Sequence, residues 1–180
     1  VVGNRAVTDD EGYYTINAIR YPGDNVNYRI VPIRGTDNFT NTEEQVTLGD
    51  AQALASSVNF LNNSSYEARV RALNVDPETG AVLGDCGVAG AQVKIDGVTV
   101  VGPNGSPILT GSDGYSPIFM VPNGMHYVSI EKQGHEFVRA TLTTGGGLSF
   151  DPDDDDFFYQ RFEANGSVFR FADRASTFFK

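Results

Sequence analysis

The chain has 180 residues, 40% of them hydrophobic, and carries a formal net charge of −10. Its length allows one large domain or two small ones, and its apolar fraction excludes wholesale disorder. The acidic balance argues against nucleic acid and anionic membrane surfaces as partners, and no apolar stretch approaches the roughly 20 residues of a membrane span.

Short runs rich in Val, Ile, Tyr and Phe alternate with turn residues along the chain, which predicts an all-β fold. Only residues 50–56 look mildly helical. In the second half, the predicted strands follow in chain order at residues 66–74, 92–95, 98–101, 107–110, 115–121, 125–132 and 137–144. The dipeptide Asp96-Gly97 separates two of these strands and is typical of a tight hairpin turn. About seven strands at short spacing predict a β-sandwich.

Sequence landmarks recur in the same order in both halves of the chain, which predicts a tandem repeat. The paired landmarks are offset by 102, 99 and 111 residues: Gly12 and Gly114, Tyr28 and Tyr127, Phe60 and Phe171. Residues 171–180 also match residues 60–69, which begin the complete repeat, whereas the chain itself begins in mid-repeat. We therefore expect either head-to-tail assembly or a window from a longer tandem array.

The repeat predicts four parts of the chain, of which the first is an incomplete domain. They are a partial β-sandwich at 1–50, a linker at 51–65, a complete β-sandwich at 66–163, and a strand of the next or a neighbouring repeat at 164–180.

Three segments of the second half carry a family resemblance: G-V-A-G-A-Q-V-K-I-D-G, L-T-G-S-D-G-Y and V-P-N-G-M-H-Y-V-S-I-E-K-Q-G-H-E-F. Together they resemble the carboxypeptidase regulatory-like domains, which have a transthyretin-like (Ig-like) β-sandwich and are related to collagen-adhesin B-type modules. Residues 66–145 cover nearly the whole pattern, and residues 1–50 cover its second half. The resemblance implies a stalk, spacer or adhesion module of extracellular or cell-surface proteins, usually without catalysis.

Few residues suit catalysis, and no catalytic residue is predicted. The histidines, His126 and His135, lie near predicted turns, and the sequence has no common nucleophile, zinc-binding or phosphate-binding motif. His126 is expected to face solvent from a strand. The single cysteine, Cys86, is expected either to be a core thiol or to pair with a cysteine outside this chain.

The acidic run D-P-D-D-D-D at residues 151–156 is the best candidate for a metal site. Asp151, Asp153 and Asp155 present alternate carboxylates, the ligand type that Ca²⁺ binds in proteins. An EF-hand loop is not supported, because Asp156 stands where that loop needs glycine and Phe162 where it needs glutamate. The run is either a solvated acidic loop or a Ca²⁺ site, and no other cofactor is predicted.

Sequons for asparagine glycosylation are dense, and all of them fall in predicted loops or linkers. Their asparagines are Asn38, Asn62, Asn63, Asn104 and Asn165. Such sequons also arise by chance in chains rich in Asn, Ser and Thr, so the pattern indicates a glycoprotein but does not fix which sites are occupied.

An aromatic strand is predicted near the carboxyl end of the chain. Its candidate assembly residues are Val168, Phe169, Phe171, Phe178 and Phe179. An unpaired strand of this kind would be an aggregation hazard, and pairing with the incomplete first domain of another copy would remove it. The alternatives are that the strand pairs within the second domain or starts a third.

The sequence therefore predicts a non-catalytic structural subunit of an extracellular fibre or surface stalk, whose copies assemble head to tail by strand complementation. The alternative is a carbohydrate-binding or adhesion module attached to a larger secreted protein. For that alternative, Tyr13, Tyr21 and Tyr115 are the candidate contacts for surface glycans.

Overall fold

A computed structural model describes residues 4–19, 23–76, 81–144, 148–149 and 159–173 of the protein. Within these residues the fold is all-β, as predicted, with twelve strands and no helix. No helix in the described part is therefore long and apolar enough to cross a membrane. The chain divides into two compact units, Val1–Asn62 and Asn63–Lys180.

The first unit contains a two-stranded antiparallel sheet of β1 (Val26–Ile30) and β2 (Glu44–Leu48). Every second side chain is at least partly buried in both strands, which is the period of a strand with one covered face. Residues 50–56, which look mildly helical in sequence, contain a turn and no helix.

The second unit contains two sheets. Its strands are β3 (Ser65–Val75), β4 (Val82–Gly87), β5 (Gln92–Ile95), β6 (Val98–Thr99), β7 (Phe119–Pro122), β8 (Gly124–Glu131), β9 (Phe137–Leu142), β10 (Leu148–Ser149), β11 (Tyr159–Phe162) and β12 (Ser167–Asp173). The larger sheet has six strands in the order β10-β9-β12-β3-β4, with β7 also paired to β3, and the smaller sheet has the order β11-β8-β5-β6.

One hydrophobic core joins the two sheets of the second unit. Val70 and Val121 enter it from the larger sheet and Val93 and Val128 from the smaller one, and all four are 0% exposed. Burying such a side chain stabilises the fold by about 1.5–3 kcal/mol. Two sheets packed over a shared core form the arrangement of a β-sandwich, in agreement with the fold class that the strand spacing predicts.

A smaller hydrophobic cluster lies on the other face of the larger sheet. Ala172 of β12 is the cross-strand partner of both Leu73 on β3 and Val138 on β9, and all three belong to this cluster with Val75 and Leu148. Both faces of the sheet are thus covered at this end. This explains why Phe171 and Ala172 are consecutive buried residues, a pattern expected of a strand covered on both sides.

The individual strand predictions succeed where the sequence signal is local. β5 has the predicted bounds, and Asp96-Gly97 forms the hairpin turn between β5 and β6 with φ values of 52° and 78°. Positive φ at both central residues is the type I′ pattern. Residues 107–110 form only isolated bridges, and the sequence analysis does not anticipate β4.

The aromatic strand β12 pairs within the second unit. It lies parallel to β3 from Ser167 to Asp173 and antiparallel to β9 on its other side. Phe169 and Phe171 point into the core between the sheets. The prediction that residues 164–180 form a strand of a next or neighbouring repeat is therefore corrected for residues 167–173, because both edges of this strand are already hydrogen-bonded. Phe178 and Phe179 lie outside the described residues.

Turns of the same form occur at residues 9–13 and 111–115. The N–H of the first residue donates to the carbonyl of the fifth residue, at 2.9 Å in the first turn and 2.8 Å in the second. The N–H of the fourth residue donates to the carbonyl of the first residue, at 3.0 Å and 2.9 Å in the same order. The fourth residues are Gly12 and Gly114, with φ values of 88° and 79°. Their sequence offset is the 102 residues of the predicted repeat.

The two units share a second local feature. Phe39 forms an antiparallel bridge with Asn62 in the first unit, and Phe137 is the antiparallel partner of Asp173 in the second. Likewise, β1 pairs antiparallel with β2 and β8 with β11. Asn62 and Asp173 are separated by the same 111 residues as the landmarks Phe60 and Phe171.

Candidate functional site

The first and last described strands of the second unit are neighbours in its larger sheet. β3 and β12 run parallel with an unbroken register of seven residue pairs, from Ala68 opposite Ser167 to Asn74 opposite Asp173. Because the strands are parallel, the start of β3 and the end of β12 lie at opposite ends of the pair. The eleven residues of β3 span about 36 Å at ~3.3 Å per residue.

Hydrogen bonds fasten β12 to β3 at the end where both strands begin. The backbone N–H of Glu67 donates to the side-chain oxygen of Asn165 at 2.8 Å. The N–H of Gly166 donates to the carbonyl of Glu67 at 2.9 Å. The turn between β11 and β12 is therefore held against the first residues of β3.

A buried carboxylate fastens the other end of β12. Asp173 is 1% exposed, and one of its oxygens lies 2.6 Å from Nδ1 of His135. Its other oxygen accepts a hydrogen bond from the backbone N–H of Glu136 at 3.3 Å. The imidazole is itself stacked on the ring of Phe137, with centroids 5.8 Å apart. This carboxylate thus joins the end of β12 to the turn before β9.

Backbone contact between two glycines braces the middle of β3. Gly114 has a φ of 79°, and a Cβ atom there would lie 2.1 Å from the carbonyl oxygen of Ala72 and 2.9 Å from the Cα of Gly87. The carbonyl of Gly114 accepts a hydrogen bond from the N–H of Ala72 at 2.9 Å. The turn that the sequence marks by its glycine is therefore packed directly on β3.

His126 and Asp96 form a second histidine–carboxylate pair, in the smaller sheet. Nδ1 of His126 lies 2.7 Å from a carboxylate oxygen of Asp96, and the N–H of Tyr127 donates to the other oxygen at 2.8 Å. The hydrogen bond from His126 is the main cause that lowers the pKa of Asp96. The His126 side chain is only 18% exposed and meets the ring of Phe162 edge-on, so the expectation that it faces solvent is wrong.

The tyrosines considered for glycan contact have different surroundings. Tyr13 is 75% exposed and belongs to the first unit. Tyr115 belongs to the second unit, is partly buried and lies under the guanidinium groups of Arg69 and Arg71. Tyr21 is outside the described residues. Tyr115 therefore does not offer an open aromatic face of the kind that the glycan-binding alternative needs.

All five sequon asparagines lie outside the strands, as predicted. Four of them are exposed: Asn38, Asn63, Asn104 and Asn165. Asn62 is partly buried, and its Nδ2 donates to a carboxylate oxygen of Asp37 at 2.7 Å. Glycosylation attaches the sugar at Nδ2 of asparagine, so Asn62 is engaged at the atom that would be modified.

The candidate calcium ligands Asp151, Asp153 and Asp155 lie outside the described residues, as does the side chain of Cys86. Among the residues that are described, no three or more His, Cys, Asp or Glu side chains are grouped closely enough to hold a metal ion.

Comparisons of the chain with protein-family models, with curated proteins and with solved structures returned no match. The proposals below therefore rest on the geometry of the chain itself.

Two features of this region were not predicted from the sequence. Asp173 and His135 are 38 residues apart, and nothing local to either residue indicates that they pair. By contrast, Arg69 and Arg71 are separated by one residue on a predicted strand, which places them on the same face. That arginine pattern was available from the sequence.

Proposed function

We propose that this chain is a non-catalytic structural module of an extracellular or cell-surface protein, and that its second unit is a spacer that carries tension in a stalk or fibre. The observation that carries the proposal is the parallel pairing of β3 with β12. These are the first and last of the unit's described strands, so we expect a force along the chain to act on this pair.

The direction of the force relative to the hydrogen bonds gives the pair its mechanical strength. Pulling the start of β3 away from the end of β12 slides the two strands past each other along their length. The hydrogen bonds between strands lie across that direction, so the bonds of all seven pairs are strained together. Peeling an edge strand, in contrast, breaks the pairs one after another.

The contacts at both ends of the pair support the same function. Sliding of β12 requires the loss of the Asn165 contact at one end and of the buried Asp173 contact at the other. It would also pull Phe169 and Phe171 out of the core. Resistance to sliding therefore comes from backbone, side-chain and core interactions together.

A tandem arrangement of related units would suit such a stalk. The matching turns at residues 9–13 and 111–115, and the matching bridges of Phe39 with Asn62 and of Phe137 with Asp173, support a repeat. In this proposal a complete repeat closes its own sheet, as the second unit does, and successive repeats are joined through the backbone. Donation of β12 to another copy is not part of it, because β12 is paired on both edges.

Single-molecule force spectroscopy tests the proposal on the full chain. The protein carries Cys86→Ser and is pulled from its two termini, so that force reaches β3 and β12. Unfolding of the second unit is recognised by a contour-length gain of about 40 nm, the extension of residues 63–180 at ~3.5 Å per residue.

The matched control pulls the same folded protein from a different pair of points. Met125 and Arg161 face each other across β8 and β11. Cysteine handles at these positions would peel β11 away pair by pair. We expect the terminal geometry to need a several-fold higher force than the peeling geometry. Equal forces, or a lower force from the termini, would contradict the tension-bearing function.

A further inference from the structure

A group of arginines lies on the outward face of the larger sheet. We call Arg69, Arg71 and Arg170 the arginine stripe. Val70 on β3 points into the core between the sheets, so its neighbours Arg69 and Arg71 point away from it. Arg170 on β12 is the cross-strand partner of Arg71 and shares its face. All three side chains are partly exposed.

The charge of the arginine stripe is not balanced by an ion pair within the part of the unit that the structure describes. None of the ion pairs among the described residues involves Arg69, Arg71 or Arg170. The Nε of Arg71 is buried and has no hydrogen-bond partner among these residues. Like charges directly opposite each other on a sheet are destabilising, and Arg71 faces Arg170. A chain with a net charge of −10 thus places three arginines together on one face, without an ion pair to any described residue.

Tyr115 holds two members of the arginine stripe in position. The Cζ atoms of Arg69 and Arg71 lie 4.1 Å and 4.6 Å from the centroid of its ring. A cation–π contact engages the flat side of a guanidinium group, which leaves the N–H groups at its edge free to donate hydrogen bonds. The side chains are therefore ordered without their donors being used.

An open depression of about 320 Å³ adjoins the stripe beside Arg69. Its walls include Ile118, which is 59% exposed, and Val168 and Ser167 of β12. Glu67 forms part of its rim and repels negative charge there. An anionic group of a ligand is therefore directed towards Arg71 and Arg170 and away from Glu67. The depression is large enough for a side chain that lies next to an anionic group.

We propose that the arginine stripe is a docking site for an acidic peptide segment in extended conformation, a property beyond the proposed spacer function. Arg69 and Arg71 are two residues apart on one strand, about 6.6 Å. Alternate side chains of an extended peptide have the same backbone spacing, so a peptide aligned with β3 presents one carboxylate to each arginine position. Each guanidinium fork matches the two oxygens of a carboxylate.

The test is a titration of labelled peptides with the full chain, followed by fluorescence polarisation. The first probe is Asp-Pro-Asp-Asp-Asp-Asp, which is the sequence of residues 151–156 of this chain. Two further probes are Asp-Ser-Asp-Ser-Asp and Asp-Asp-Asp-Ser-Ser. They have the same charge as each other and differ only in the spacing of their aspartates. We expect saturable binding that weakens as salt is raised, and tighter binding of the alternating peptide than of the clustered one.

The variants Arg71→Gln and Arg170→Gln should each weaken binding on the order of tenfold, the effect of losing one charge-assisted hydrogen-bonded pair. Arg161→Gln removes the same charge from β11 in the other sheet and should leave binding unchanged. Arg71→Lys keeps the charge but not the fork, and should also weaken binding. Unfolding midpoints of Arg71→Gln and Arg170→Gln should not fall, because like-charge repulsion is relieved in both.

Three results would overturn the proposal. The first is no saturable peptide binding at low salt. The second is an equal loss of binding in Arg161→Gln and in the stripe variants, which would indicate attraction by net charge alone. The third is binding of an acidic polysaccharide such as polygalacturonate without binding of the peptides.

Discussion

The close approach of Gly114 to β3 gives a sharp prediction for Gly114→Ala. The new Cβ would lie 2.1 Å from the carbonyl oxygen of Ala72 and 2.9 Å from the Cα of Gly87, and both are backbone atoms. Neither atom can move without a shift of β3 or β4. The substitution therefore adds overpacking to the strain of placing alanine at a φ of 79°.

Gly134→Ala is the matched control for this substitution. Gly134 has the same φ of 79°, and a Cβ atom there would have no neighbour within 4 Å. Left-handed backbone should cost the control about 1–2 kcal/mol of unfolding free energy. Gly114→Ala should cost a further ~1–3 kcal/mol, the usual range for overpacking. Replacing glycine by alanine also lowers the conformational entropy of the unfolded chain. This effect is the same in both variants and cancels in the difference between them.

Urea denaturation followed by far-UV circular dichroism measures the difference. Hydrogen exchange of the β3 amides assigns the transition to the second unit, because the two units could unfold separately. At a slope of ~2 kcal/mol/M, the midpoint of Gly114→Ala should lie about 0.5–1.5 M below that of Gly134→Ala. Equal midpoints would show that the contact with Ala72 relaxes without cost, and the reasoning about this brace would be wrong.

Three further substitutions probe the contacts of the second unit by the same denaturation assay. Asp173→Ala should lower the unfolding free energy by about 1–3 kcal/mol because His135 and the backbone N–H of Glu136 lose a buried hydrogen-bond partner. An unchanged midpoint would mean that this end of β12 is not fastened. Asp96→Asn tests the carboxylate whose pKa is lowered by its hydrogen bond to His126. The hydrogen-bonded carboxylate of Asp96 stabilises the fold above its ordinary pKa of 3.8, and this contribution is lost as the pH falls through the lowered pKa. The unfolding free energies of parent and variant should therefore converge in strong acid, and a constant difference would refute the linkage. Arg170→Thr should raise the unfolding free energy by about 0.2–1 kcal/mol through loss of the repulsion from Arg71, and a fall would show that the pair is not strained.

The sequence predicts the features of this fold that depend on neighbouring residues. Asp96-Gly97 and Gly114 are recognisable because a turn imposes its φ requirement on one or two positions. The alternation on β3 likewise reveals which side chains face the core. β4 was not predicted because Gly84 and Gly87 interrupt the alternation of apolar and polar side chains along it. Glycine lacks the side chain that a strand pattern needs.

Partners that are distant in sequence could not be predicted in the same way. The alternation of Val168, Phe169, Arg170 and Phe171 indicates a strand with one apolar face, but it carries no information about which strands lie on either side. The neighbours of β12 are β3 and β9. Ser167 on β12 is paired with Ala68 on β3, which is 99 residues away in the sequence. The same aromatic pattern fits a donor strand and a closing strand equally well, and only the pairing distinguishes them.

The position of β12 also determines how copies of such a unit can be joined. Strand donation between copies needs an unpaired strand in the donor, and releasing β12 would break its ladders with both β3 and β9. It would also expose Phe169 and Phe171, each of which stabilises the fold by about 1.5–3 kcal/mol when buried. An identical neighbour could at best restore what was lost, since its own sheet is closed by the same strand. Joining units through the backbone avoids this cost and directs tension through the parallel pair. It also keeps Arg170 beside Arg71, so the arginine stripe remains whole only while the pair is intact.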